Sequence, residues 1–230
     1  KGYADQIFVI DDLANRPHDC DLLLDQNYAG DRMDRYKGWV PNDCIQLLGP
    51  RFAILHPAFR DKRLMAMERG NTIKRIFIFF GGTDPDNLTG QTLEALSVPD
   101  LVHLTVDCVI GANNPHKAAL ASVAEQRGNV ALHATQPHLA NLMAQADLAI
   151  GAGGTTTWER CALGLPSIVV SIAENQSGVC ESLNRDGFII YAGSQRGVRK
   201  TKLIRILRRL MDQPDLLLRK RCLFSALVDG

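Results

Sequence analysis

Short apolar runs alternate with stretches of helical spacing along most of this chain, and the alternation is cleanest after residue 70. A strand buried on both faces reads as a continuous Val/Ile/Leu/Phe run, whereas a helix on a sheet repeats its apolar positions every three or four residues. Runs of the first kind lie at 73–80, 101–110, 129–133, 148–151, 167–172 and 188–191. Helical stretches fall between them, including 155–163 and 175–186, and two more, 198–211 and 214–225, close the chain. Gly164 and Gly187 stand just past helix ends, where a left-handed residue is needed. Asn114-Pro115 offers a cap with Pro at the first helical position. Six strands, each followed by a helix, predict an α/β fold built on a doubly wound, Rossmann-like parallel sheet.

The first 65 residues break this rhythm. They hold strand patterns at 7–11 and 20–25, then a loop-rich stretch with GWVPNDC and LLGPRF, and acids outnumber bases nine to five through residue 50. Two strands are too few for an independent domain. Residues 1–60 are therefore expected to be the C-terminal part of a preceding α/β domain, with the boundary inside 52–70 and a second domain over 61–230. Because the chain enters a strand within its first residues and has no initiator Met, it is expected to be a segment of a longer protein.

Composition narrows the classes. Of 230 residues, 46% are hydrophobic and 22% charged, enough to bury a core, so global disorder is excluded. Lys and Arg number 26 against 25 acids, and a net charge of +1 excludes a chain built to lie along nucleic acid or an anionic membrane. The basic stretch 199–221 carries Leu203, Ile204, Leu207, Leu210 and Met211 at helical spacing, which reads as an amphipathic helix with a solvated basic face. Six cysteines with no CxxC predict reduced thiols rather than disulfides or zinc. No 18-residue apolar run and no signal peptide are present, so a cytoplasmic protein is expected. His103, His116, His133 and His138 lack metal spacing, and neither HExxH nor GxSxG occurs.

Three motifs remain, each directly after a predicted strand. GGTDPDN (81–87) offers Gly81 and Gly82 for close approach of the backbone to a ligand at the carboxyl edge of the sheet, followed by Thr83, Asp84 and Asn87. Asp84 or Asp86 could equally cap the next helix. GAGGTTTWE (151–159) puts Gly153, Gly154, Thr155 and Thr156 where amides and hydroxyls can hold a diphosphate, and Glu159 where a carboxylate can accept from both hydroxyls of a ribose. Thr with Glu three or four residues later is also a capping pattern. ENQ (174–176) presents Asn175 and Gln176, whose amides suit sugar hydroxyls or acetamido groups, though Asn175 could serve as a helix cap. Asp11 and Asp12 end a strand, facing a cleft or capping a turn.

Together with IDDLANRPHDCDLLLDQNY (10–28) and GPRFAILHPAF (49–59), these motifs resemble the UDP-2,4-diacetamido-2,4,6-trideoxy-β-L-altropyranose hydrolases of pseudaminic acid biosynthesis, relatives of the MurG-like glycosyltransferases. The resemblance runs to about residue 195. It implies a two-domain GT-B fold, with residues 61–230 as the nucleotide-sugar-binding domain, and a metal-independent enzyme without cofactor. That enzyme releases UDP by inverting C–O cleavage. The resemblance also implies roles: Glu159 on the ribose, Thr155 and Thr156 on the diphosphate, Asn175 as the catalytic residue against the sugar with Gln176 beside it, and the backbone of Thr135, Gln136 and Leu139 on uracil. The expected partners are a UDP-sugar and the N-terminal domain of the same protein, with no nucleic acid and no membrane span. Two family features, a Gly-rich loop bearing the expected His base and a later Asp-His-Tyr motif, do not occur and are expected upstream of Lys1. His56 stands where the family usually has Arg. Two alternatives are a GT-B glycosyltransferase using a UDP-sugar donor and an inert nucleotide-sugar-binding module.

Overall fold

The computed structural model describes residues 4–30 and 34–228, and two parallel sheets organise them. The smaller sheet holds β1 (Phe8–Ile10), β2 (Leu22–Asp25) and β3 (Ile45–Leu48), in that order. The larger holds β4 (Arg75–Phe79), β5 (Thr105–Ile110), β6 (Val130–Ala134), β7 (Leu148–Ala152), β8 (Ser167–Ser171) and β9 (Ile190–Ser194). Its strands are all parallel and run in the spatial order β6-β5-β4-β7-β8-β9. The chain winds outward from β4 to β6, then returns to the other side of β4. The switch point between β4 and β7 opens a crevice at the carboxyl edge, where ligands of such sheets bind.

The two faces of this sheet are covered by different helices, which is why its central strands read as unbroken apolar runs. Every residue of β7 and of β8 is buried. On one face, Ile76, Ile78 and Val106 meet Leu93 and Leu96 of α2 (Leu88–Leu96), Leu120 of α3 (Lys117–Arg127) and Leu203 and Leu207 of α7 (Lys200–Asp212). On the other, Phe77 and Val169 meet α1 (Ala58–Met67), α4 (Ala140–Gln145), α5 (Thr156–Ala162), α6 (Glu174–Arg185) and α8 (Pro214–Leu227) through Phe59, Met143, Trp158, Cys180 and Phe224. Enclosing each large apolar side chain contributes about 1.5–3 kcal/mol before conformational entropy is subtracted.

Several boundaries differ from the sequence reading. Leu101 and Leu104 are buried but lie in turns, and β5 starts only at Thr105, where its N–H reaches Lys74 O at 2.9 Å. Pro115 does not open α3: Asn114 Oδ1 accepts from His116 N at 2.8 Å, and His116 itself precedes the helix. β9 begins at Ile190 because Phe188 N is still taken by Leu183 O at the end of α6. Gly164 and Gly187 do adopt positive φ past their helices. β3 has no signal in the sequence, since its four residues carry no period. The expected division at residue 60 falls inside α1, which packs on α4 and α5. Among the described residues, no helix is long and apolar enough to cross a membrane.

Arginines from this segment close the helix ends beneath the larger sheet. Arg63 donates to Ala162 O (2.9 Å), Val228 O (2.6 Å) and Ser225 O (2.7 Å). Arg69 donates to Leu163 O (2.6 Å), Met143 O (2.7 Å) and Ala144 O (3.2 Å), joining the ends of α4 and α5. Cations suit such ends, where carbonyls lack amide partners. Arg69→Ala should therefore lower the unfolding free energy in urea by about 2 kcal/mol. Arg69→Lys should recover only part of it, because one ammonium cannot span both helices. An unchanged urea midpoint in Arg69→Ala would remove this tie from the account.

Candidate functional site

The loop after β4 reaches the crevice with its glycines, not with its acid. Gly81 has φ +92°, a conformation that side chains rarely adopt, and Gly82 is open on the side a Cβ would occupy. Thr83 is exposed beside them. Asp84 and Asn87 turn their side chains to the helix that follows, the capping role that the motif also allowed for Asp84. Asp84 is buried at φ +42°, and its carboxylate oxygens accept from Leu88 N at 2.8 Å and Thr89 N at 2.9 Å. Asn87 Oδ1 accepts from Gly90 N at 3.1 Å. Both side chains are consumed by the orphan amides of α2. Gly111, which opens the loop after β5, presses on this loop so closely that a Cβ there would stand 1.7 Å from Gly82 O.

The loop after β7 keeps its polar groups uncommitted. Thr155 precedes α5 without making a capping bond, and no acceptor among the described residues takes the N–H of Gly154, Thr155 or Thr156. Thr156 is half-buried next to it. Glu159 lies in the first turn of α5, with Oε2 enclosed and bonded to nothing. Burial pushes its carboxyl pKa up, and the neighbouring Arg160 only partly offsets that. The capping pattern of Thr and Glu read from the sequence is thus not formed. Beneath the loop lies Arg160, fully buried, a residue to which the sequence drew no attention.

Gln176 and Gln195 brace the neighbouring loops. Gln176 Oε1 accepts from Ile172 N at 3.0 Å, while its amide nitrogen stands 3.5 Å from where a Cβ of Gly154 would be. Gly153 admits α6 closely, since a Cβ there would meet Cys180 Sγ at 2.3 Å. Oriented to satisfy its neighbours, the Gln195 amide donates to Ile172 O (2.9 Å) and Asp86 Oδ2 (3.1 Å), tying the loops after β4, β8 and β9. Asn175 is not the cap of α6. Ala173 occupies that place, and Asn175 stands exposed in the first turn.

Residues 135–139 form the turn from β6 into α4. Thr135 and Gln136 are exposed, Gln136 donates to Ala134 O at 3.1 Å, and Leu139 is buried as the residue preceding α4. Thr135 borders a hollow of about 460 Å³ with Ile110, Ala112 and Leu132. A larger one, about 610 Å³, is lined only by α7 and the turn after it. The His138 ring stacks on His56 with centroids 4.7 Å apart, so the segment before α1 touches this turn. Asp11 caps its own turn, its Oδ2 accepting from Ala14 N (2.8 Å) and Tyr36 OH (2.9 Å). His133 is taken by Asp107 at 2.8 Å and His116 by Pro85 O at 3.0 Å. Among the described residues, no cluster could hold a metal ion.

The model for the glycosyltransferase family 28 C-terminal domain matches residues 75–214, from the start of β4 to the start of α8. The chain belongs to this family. The matched span contains all three motif loops of the crevice. The chain is 32% identical over 187 residues to the spore coat polysaccharide biosynthesis protein SpsG of Bacillus subtilis (strain 168), an alignment covering 79% of the chain and 54% of that relative. It therefore spans about half of that relative's length. The fold is that of GT-B glycosyltransferases. MurG of Acinetobacter baumannii superposes with a TM-score of 0.56 at 17% identity, over 87% of this chain and 61% of that one. UGT2 of Phytolacca americana, complexed with UDP-2fluoro-glucose and pterostilbene, superposes with 0.59 at 15% identity, over 91% and 48%.

Proposed function

We propose that this family 28 C-terminal domain holds the UDP of a UDP-linked 2,4-diacetamido-2,4,6-trideoxy sugar. We further propose that the whole protein hydrolyses that substrate in pseudaminic acid biosynthesis. One observation carries the nucleotide assignment: Glu159 keeps an enclosed oxygen without a partner one turn beyond a Gly-Thr loop whose amides are free. A buried acceptor left unsatisfied is costly, and the half-buried carboxylate, turned toward the crevice, would be satisfied by the two hydroxyls of a ribose. Gly153, Gly154, Thr155 and Thr156 would then receive the diphosphate, Gly81, Gly82 and Thr83 would approach it from β4, and the backbone at 135–139 would meet uracil. Six unpaired thiols support a cytoplasmic protein. We place the change from the first unit to the nucleotide-binding unit ahead of Ala58, so that α1 goes with the larger sheet.

In the proposed reaction, a water oxygen bonds to the anomeric carbon from the face opposite UDP. The C–O bond to the diphosphate breaks with its electron pair leaving on UDP. The water proton passes to a general base of the whole protein. Asn175, exposed in the first turn of α6, would donate to an oxygen of the sugar beside the breaking bond. In the whole protein, Asn175→Ala should leave UDP affinity within about twofold and lower turnover about 10-fold. Normal turnover with weakened UDP binding would move Asn175 onto the nucleotide.

Membership of a glycosyltransferase family favours a second reading, transfer of the sugar to an acceptor. Incubating the whole protein with the UDP-sugar in ¹⁸O-water, without acceptor, separates the two. Hydrolysis gives stoichiometric UDP and label at the sugar's anomeric oxygen. UDP release that waits for an added acceptor would establish transfer instead.

A further inference from the structure

Arg160 is the most deeply buried cation among the described residues. Arg69, Lys220 and Arg221 donate to backbone carbonyls, several of them at helix ends, and Arg69 and Arg221 share with Arg160 an enclosed Nε that has no partner. Arg160, only 2% exposed, donates through Nη2 to Ala152 O (2.7 Å) and Thr157 Oγ1 (2.8 Å) and leaves Nε enclosed without a partner. It makes no ion pair among the described residues. The ionisable groups around it are Glu159, whose Oε2 bonds to nothing, and the thiols of Cys161 and Cys180, which burial keeps protonated. Burial lowers the guanidinium's pKa to about 10, so it is charged at neutral pH.

Its place decides what that charge can serve. Nη1 lies 2.9 Å from where a Cβ of Gly151 would stand, and Nη2 holds the carbonyl of Ala152, the last residue of β7. The fork therefore sits directly under the strand end that presents Gly153, Gly154 and Thr155. A neutral amide could tie one carbonyl to one hydroxyl, whereas an enclosed charge with no ion pair, and with Glu159 as the acid that acts on it, is unfavourable in the free protein. In a low-dielectric surrounding its attraction for an anion persists beyond direct contact.

We propose that Arg160 is the buried counter-charge for the ligand's diphosphate, a positioning residue that acts through the Gly153–Thr155 loop without touching the ligand. This rests on the nucleotide reading of the crevice and adds to it the group that sets its charge preference. It also explains why the loop needs no exposed Lys or Arg.

Calorimetry of this chain with UDP and with uridine tests it. In Arg160→Met, UDP affinity should fall about 10-fold or more while uridine affinity stays within about twofold. The melting temperature of the free variant should hold or rise, and the rise produced by UDP should shrink. Equal UDP affinity in a folded variant, or equal losses for UDP and uridine, would make Arg160 a structural tie and overturn the proposal. Should Arg160→Met not fold, the Nε–H resonance of wild-type Arg160 is the second measurement. It should shift with UDP and not with uridine, and no response to UDP overturns the proposal. A wild-type chain that binds neither UDP nor uridine sinks the nucleotide reading. Pyrophosphate, followed through the same resonance, then decides Arg160 separately.

Discussion

Replacing Glu159 by Ala should cost roughly 1.5–3 kcal/mol of UDP affinity, the worth of charge-assisted hydrogen bonds to two ribose hydroxyls. A 2′,3′-dideoxyuridine diphosphate never makes those bonds, so its affinity should barely change. Equal losses for both ligands would show that Glu159 supports the loop and not the ribose. The sign with pH follows from burial, which raises the carboxyl above its ordinary value of 4.5. UDP affinity should fall as the pH drops toward that raised value, because the protonated acid loses its charge. The stability of the free protein should move the other way. A raised folded-state pKa contributes stability that is present below 4.5 and lost as the pH rises through the folded value. Glu159→Gln should accordingly stabilise the free protein at pH 7 while weakening UDP. Loss on both counts would mean the carboxylate has a structural partner.

Gly111→Ala should be the most damaging single-methyl change near the site. The added Cβ would fall 1.7 Å from Gly82 O and 2.4 Å from Gly82 C, both backbone atoms of the loop after β4. No rotamer relieves a clash with backbone, so the loops after β4 and β5 must part, at a cost of about 3 kcal/mol or more. UDP binding should weaken as well, since Gly82 is carried out of the crevice. Gly178→Ala is the matched control: it lies in α6 with nothing within 4 Å of the new Cβ. That variant should gain about 0.5–1 kcal/mol from helix propensity alone. Urea titrations of the two variants would have to rank the other way for the close approach at Gly111 to be dispensable.

The sequence by itself determined the periodic parts of this protein. Continuous runs such as SIVVS and LAIGA could only be strands enclosed on both faces, and Gly164 and Gly187 marked helix ends by conformational need. It also located the three motif loops, because glycine clusters directly after strands are local in the chain. What it did not determine was which polar side chains in those loops were free. Asp84 and Asn87 carry the same groups as a ligand-binding acid and amide, and only the position of α2 shows that its amides consume them. Glu159 was legible as a candidate, but its unsatisfied oxygen exists only once α5 is packed. Gly111 and Gln195 were invisible for one shared reason. Each acts through a contact with the end of another strand, or with the loop that follows one, and such contacts form only when the order β6-β5-β4-β7-β8-β9 brings those ends together. Periodicity reports which face of an element is buried. Whether a polar group on it is satisfied depends on the turn it caps, as at Asp84 and Asn87, or on neighbours distant in sequence, as at Gln195, and the second is decided by tertiary packing alone.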